Sequence, residues 1–227
     1  MAKIKEIIKF PFKPYWKIKR IIKNRYNPEK YWENRHRKYS DNSLKGVGHI
    51  KKTEEANIID YNNAANVFLE LCKENNIDFS NKSVLEIGCG NGFYTNIVHQ
   101  HGCKDYIGID IAEYPLKKLE NKFCSYHFKK LDITKRKLNQ RFDLIIMIDV
   151  TQHITKDKLF VAAMENIQEM LSDKATFIVT EWLSEAKKQR QYYEVERPLE
   201  YYQNCFKGFK ISNPKKFRDK YIFSIKK

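Results

Sequence analysis

From Ser83 onward, short apolar runs alternate with amphipathic stretches. The runs at 83–88, 105–111, 125–131, 142–149 and 174–181 read as strands, and 92–101, 114–122 and 157–171 between them carry helical periodicity. Strand following helix in this way predicts a parallel sheet covered on both faces. The stretch "FDLIIMIDV" is apolar almost throughout, as a strand buried on both faces requires. The pattern changes at the end. "FKGFKIS" and "KFRDKYIFSIKK" are two strand candidates with no helix between them, which predicts an antiparallel hairpin finishing the sheet.

Before Ser83 the pattern is helical. Ile4, Ile7 and Ile8, then Ile18, Ile21 and Ile22, recur at helical spacing among lysines, interrupted by Pro11 and Pro14. Such basic amphipathic segments lie on an anionic membrane surface or pack on the body of the protein; their shortness favours packing. "NPEKYWENRHRKY" opens with a proline at a helix start. Gly46 and Gly48 mark a loop, and Thr53 to Asn76 reads as a long helix capped by Thr53 with acids in its first turn. The expected division is a helical extension or lid over 1–52 and a catalytic-type domain over 53–227.

The 227 residues suffice for one domain with a full core. No apolar run reaches bilayer-spanning length, and "MAKIKEIIKF" lacks the features of a signal peptide, so a cytoplasmic protein is expected. Five cysteines without a CxxC pair argue against a disulfide framework or zinc site and for buried or half-buried thiols. Charge is unevenly placed. Residues 1–25 hold nine basic side chains against one acid, and 206–227 hold eight against one, while the body between is neutral. Basic ends attract phosphates, acidic lipid or nucleic acid, or simply confer solubility.

The candidate chemistry sits in "SVLEIGCGNGFYT". Three glycines at alternate positions follow the first strand of the series and open a helix, where a tight turn and close ligand approach are possible. A dinucleotide fingerprint would need its third glycine at position 93, which is Phe93, and the GK[ST] of a P-loop is absent. An acid followed by GxGxG, "LEIGCGNG", resembles motif I of the class I S-adenosylmethionine (SAM) dependent methyltransferases. The resemblance covers about residues 80–182. It implies a Rossmann-like α/β fold: a seven-stranded sheet with helices on both faces, a C-terminal antiparallel hairpin and an N-terminal basic extension. It also implies SAM as cofactor, held by Gly88, Cys89, Gly90, Asn91, Gly92 and Tyr94. Asp110 at the end of "YIGID" would take the ribose hydroxyls, and Asp132 in "KKLDIT" the adenine amino group. Ile111 and Ile133 would sandwich the ring, and Glu86 would balance the positive methionine end.

The segment after the fourth strand faces the methyl group in this fold; here it is Asp149-Val150-Thr151-Gln152-His153. His153 suits a general base by its reference pKa, or else holds a loop or hydrogen-bonds the substrate without moving a proton. Asp149 binds the cofactor's amino group, orients His153 or caps the strand. Neither the [DN]PP[YFW] motif of base-amine methylation nor a Pro-Cys pair is present, which weakens a nucleic-acid substrate. Tyr31, Trp32 and Arg35 resemble the lid helix of small-molecule methyltransferases, with His49 a further candidate. Arg197 and Tyr201 fall in an insertion that lines the acceptor pocket in such enzymes, and suit an anionic or sugar-like acceptor. The expected function is methyl transfer, at oxygen, to a polar small molecule or glycan precursor. The surface-glycan part rests on likeness to small bacterial relatives with a similar N-terminal helix and "FRDKY" end. RNA methylation through the basic ends, a membrane-associated enzyme reaching lipid-linked acceptors, and a SAM-binding module without catalysis are the alternatives.

Overall fold

The computed structural model describes residues 26–39 and 44–227, so the amphipathic segments at 4–10 and 16–25, and any membrane contact through them, lie outside the described residues. Pro28 opens helix α1 (Pro28–Lys38), and the Asn27 side chain caps it by accepting from the Lys30 amide at 3.0 Å. Thr53 caps α2 (Glu54–Glu74) in the same way, accepting from the Ala56 amide at 3.2 Å. Glu54 and Glu55 stand at the positive end of that helix.

Five parallel strands follow: β1 (Ser83–Ile87), β2 (Asp105–Asp110), β3 (His127–Lys130), β4 (Phe142–Met147) and β5 (Leu171–Glu181). Between them run α3 (Phe93–Gln100), α4 (Tyr114–Lys122) and α5 (Asp157–Met170). β4 is shorter than its apolar run because Asp149, with φ of 61°, turns the chain out of the sheet. A detached hairpin of β6 (Lys188–Gln191) and β7 (Glu194–Glu196) comes next, then α6 (Glu200–Cys205). The chain ends in β8 (Lys210–Ile211), β9 (Lys215–Phe217) and β10 (Lys220–Lys226).

The sheet runs β3-β2-β1-β4-β5-β10-β8, a path of seven strands, with β9 paired to β10 as an eighth. β10 is antiparallel to β5, β8 and β9. "KFRDKYIFSIKK" thus folds back on itself, at a turn through Arg218 whose φ is 56°. Period-two alternation divides the core. Val84, Leu144 and Ile146 pack under α2, α3 and α4, while Leu85, Ile145 and Met147 pack under α5 and α6. All five cysteines are free; Cys124 is exposed, contrary to the expectation of burial, because it lies just past α4 in the turn leading to β3. Among the described residues no helix is long and apolar enough to cross a membrane.

Candidate functional site

Strand order reverses between β1 and β4, and the carboxyl ends of the strands part there to leave a crevice. A cavity of about 400 Å³ fills it, within the ~300–1,000 Å³ usual for small-molecule sites. The loop after β1 forms its floor. Four of that loop's five amides are already used inside the protein. Gly88 N and Cys89 N donate to the Ile109 carbonyl at 2.7 and 3.2 Å, and Gly92 N donates to the Cys89 carbonyl at 2.8 Å. Gly90 N donates to Asp110 Oδ2 at 3.0 Å. No nest of free amides remains there for a pyrophosphate.

Two of the glycines serve packing. A Cβ on Gly88 would lie 2.3 Å from Val150 Cγ2, and one on Gly92 would lie 2.4 Å from Leu119 Cδ2. Gly88 still borders the cavity, but Gly92 does not; its missing side chain admits α4 rather than a ligand. Cys89, Gly90, Asn91 and Tyr94 line the cavity. The buried Tyr94 hydroxyl has no protein partner there.

Asp110 lies at the end of β2 with its carboxylate on the cavity, accepting also from Ala112 N at 2.8 Å. Burial raises its pKa, opposed by neighbouring His36 and the loop amides. Ile111, Asp132 and Ile133 continue the wall. Asp132 accepts from the Thr134 amide and hydroxyl at 3.0 and 2.7 Å and pairs with Lys135 at 2.9 Å. Burial alone would raise its carboxyl; Thr134 and Lys135 outweigh that and lower it.

Glu86 borders the cavity from β1, and its Oε2 accepts the Thr95 hydroxyl at 2.8 Å and the Tyr106 hydroxyl at 2.6 Å. Burial pushes it up to about 7 despite these donors. A raised carboxyl makes the folded state bind more protons than the unfolded chain, so this group's contribution to stability falls as pH rises from about 4.5 to 7. Glu86→Gln keeps an oxygen for both hydroxyls and removes the titration. Its stability relative to wild type, by urea unfolding without ligand, is expected to rise by about 3 kcal/mol between pH 5 and 8. A pH-independent difference would refute the buried titration.

Asp149 is not free to hold a ligand amine alone. Arg218, from the β9–β10 turn, and Lys220, at the start of β10, both bridge its carboxylate. Burial would raise Asp149, and these two cations outweigh it, holding the carboxyl well below its usual range. His153 ends the 3-10 turn Thr151–His153 and lines the cavity. Its Nδ1 lies 3.0 Å from the Tyr193 carbonyl at the tip of the β6–β7 hairpin. A carbonyl only accepts, so Nδ1 carries the hydrogen and Nε2 the lone pair. Burial pushes His153 down to about 3, with Lys220 and Arg35 adding to the shift against the Tyr193 hydrogen bond.

Of the lid candidates, Trp32 borders the cavity, with its ring edge-on to His153 at 4.7 Å. Tyr31 stands behind it, stacked on Tyr193 at 4.9 Å. Arg35 is turned away from the cavity: its guanidinium donates to the Gly48 carbonyl and, at 3.1 Å, to the Lys45 carbonyl, which fastens α1 to the following loop. His49 is exposed and outside the site.

Arg197 is corrected most sharply. It is fully buried, donates to the Thr151 carbonyl at 3.1 Å and to the Ile154 carbonyl, and stacks over Phe160 at 4.3 Å. It therefore pins the turn that carries His153 and is closed to an acceptor. Tyr201 likewise packs edge-on to Phe160 at 6.1 Å, away from the cavity.

Sequence reasoning missed His36, Arg218 and Lys220, and the β6–β7 hairpin. Only His36 left a signal, one helical turn after Trp32 on the same face.

A family model described as a methyltransferase domain matches residues 31–210. A solved structure of magnesium protoporphyrin IX methyltransferase from Synechocystis PCC 6803, with bound S-adenosylhomocysteine, superposes with a TM-score of 0.64 at 17% identity, over 92% of this chain and 99% of that one. A SAM-dependent methyltransferase from Clostridium acetobutylicum ATCC 824 gives 0.58 at 19% identity, over 73% and 91%. These likenesses concern the fold. The curated protein "Putative methyltransferase 235L" of Invertebrate iridescent virus 6 is 35% identical over 69 residues, which span 30% of this chain and only 26% of that protein.

Proposed function

Because this chain belongs to the methyltransferase-domain family, we propose that it transfers a methyl group from SAM to a hydroxyl oxygen of a polar small molecule or glycan precursor. One observation carries the cofactor reading. The glycine loop spends its amides on Ile109, Asp110 and Cys89, so it suits a ligand without a pyrophosphate. The cavity also presents the Asp110 carboxylate for a diol. When bound, SAM supplies a methyl group already activated on a sulfonium.

The chain's own residues then do two things. They position the acceptor, and positioning is the larger share of such a displacement. His153 Nε2 takes the hydroxyl proton, with the Tyr193 carbonyl holding the productive tautomer. Trp32 packs edge-on against His153 at that end of the cavity. With Arg197 buried, charge for an anionic acceptor falls to Lys156, which lines the cavity.

Calorimetric titration with S-adenosylhomocysteine, and with NAD in parallel, tests the cofactor. Micromolar binding of the first and none of the second is expected. Asp110→Ala should weaken S-adenosylhomocysteine by roughly 1.5–3 kcal/mol, the scale of hydrogen bonds to a charged group. Unchanged affinity in a folded variant would remove Asp110 from the site. The acceptor is found by screening hydroxylated metabolites and sugar phosphates with methyl-labelled SAM.

A further inference from the structure

We propose that His36 is a cofactor-binding residue, carried by α1, that completes with Asp110 the recognition of the ribose diol. The proposal rests on SAM as the cofactor. His36 is only 6% exposed, and what it exposes faces the cavity beside Asp110. Its ring sits between two glycines: a Cβ on Gly46 would be 3.7 Å from its Nδ1, and one on Gly90 would be 3.8 Å from its Cε1. Among the described residues no hydrogen bond reaches either ring nitrogen of His36, although buried polar groups are almost always paired. Neither nitrogen is among the fully enclosed unpaired atoms, which leaves both reachable for a ligand group in the cavity.

Its chemistry follows from the neighbours. A neutral imidazole offers one donor and one acceptor; burial lowers the His36 pKa, against the pull of the Asp110 carboxylate. Asp110 spends lone pairs on Gly90 and Ala112 and keeps others for the cavity. Two adjacent hydroxyls, each able to donate and accept, match a carboxylate beside an imidazole. A lone amine or an aliphatic chain would leave the imidazole donor unused.

The helix is held in place without His36. Glu33 Oε2 accepts from the Glu113 and Tyr114 amides at 2.8 and 3.1 Å, Glu29 pairs with Lys130 at 2.6 Å, and Arg37 lies over the Tyr114 ring at 4.9 Å. The Glu33 and Arg37 contacts tie α1 to the start of α4, which follows Asp110, and the Glu29 pair ties it to β3. One turn earlier on α1, Trp32 abuts His153. A single helix face thus reaches both the diol end and the base end of the cavity.

The test is calorimetry with S-adenosylhomocysteine and its 2′-deoxy and 3′-deoxy analogues on wild type, His36→Ala and His36→Gln. His36→Ala should weaken S-adenosylhomocysteine roughly three- to tenfold, the scale of one hydrogen bond. The loss should shrink for the analogue lacking the contacted hydroxyl, and His36→Gln, which keeps a donor and an acceptor, should recover part of it. Wild-type affinity in His36→Ala, or an equal loss for all three ligands, overturns the proposal and leaves His36 as packing while the cofactor reading stands. Failure of folded wild type to bind S-adenosylhomocysteine overturns both.

Discussion

Asp149→Ala is expected to destabilise the protein by about 2–4 kcal/mol. The carboxylate stands between Arg218 and Lys220, and the three side chains are 17%, 14% and 9% exposed. Removing the shared anion leaves two cations with little water and no partner. Such a loss costs about 3–5 kcal/mol in a fully buried pair, and the residual exposure here lowers the figure. Alanine also inherits a φ of 61°, which adds about 1 kcal/mol of backbone strain. Asp149→Asn separates the two effects, because asparagine tolerates this conformation and removes only the charge. Adding Arg218→Met to Asp149→Asn should recover part of the loss, since one orphaned cation goes with it. Urea unfolding at pH 7 reads all three. A cost below about 1 kcal/mol for Asp149→Asn would mean that solvent screens the bridges. The sign with pH is also fixed. A depressed carboxyl stabilises above its unfolded value near ~4 and loses that contribution as pH falls through the folded value, so variant and wild type converge in acid.

His153→Ala is expected to lower methyl-transfer turnover by about 10²-fold, the low end of the 10²–10⁴ that general bases contribute. The low end applies because burial pushes His153 down to about 3, far from the neutral value that serves a base best. That same shift keeps the ring unprotonated through the neutral range. Turnover should therefore show no His153 inflection near pH 6.5, where an ordinary histidine titrates. Single-turnover assays with methyl-labelled SAM and the acceptor from screening supply both readouts. S-adenosylhomocysteine affinity should stay within about threefold of wild type, which separates lost base catalysis from a collapsed cavity. A fall in turnover below about tenfold would reduce His153 to holding the acceptor.

Sequence periodicity was enough for the sheet and its helices. Alternating apolar runs and amphipathic stretches are local consequences of burial on two faces, and β1 to β5 emerged within a few residues of their runs. Gly88 to Asn91, Asp110, Asp132 and His153 line the cavity, because each ends or follows a strand whose carboxyl end opens on the crevice, whereas Gly92 lies outside it. The misplacements share a cause. Arg197 looks like an acceptor-binding arginine in sequence, but its guanidinium is aimed by the path of the chain between β7 and α6, which sends it inward to the carbonyls of residues 151 and 154.

By itself, then, the sequence determined the α/β architecture, the switch-point loop and the acids that follow β2 and β3. Each depends on residue type and spacing along one stretch of chain. Only the tertiary structure decided that Asp149 is neutralised from residues 69 and 71 positions away, that Tyr193 sets the His153 tautomer from 40 away, and that His36 meets Asp110. Those pairings are fixed by how α1, the β6–β7 hairpin and the β9–β10 turn pack over the strand ends. No local pattern encodes where three separate segments will converge.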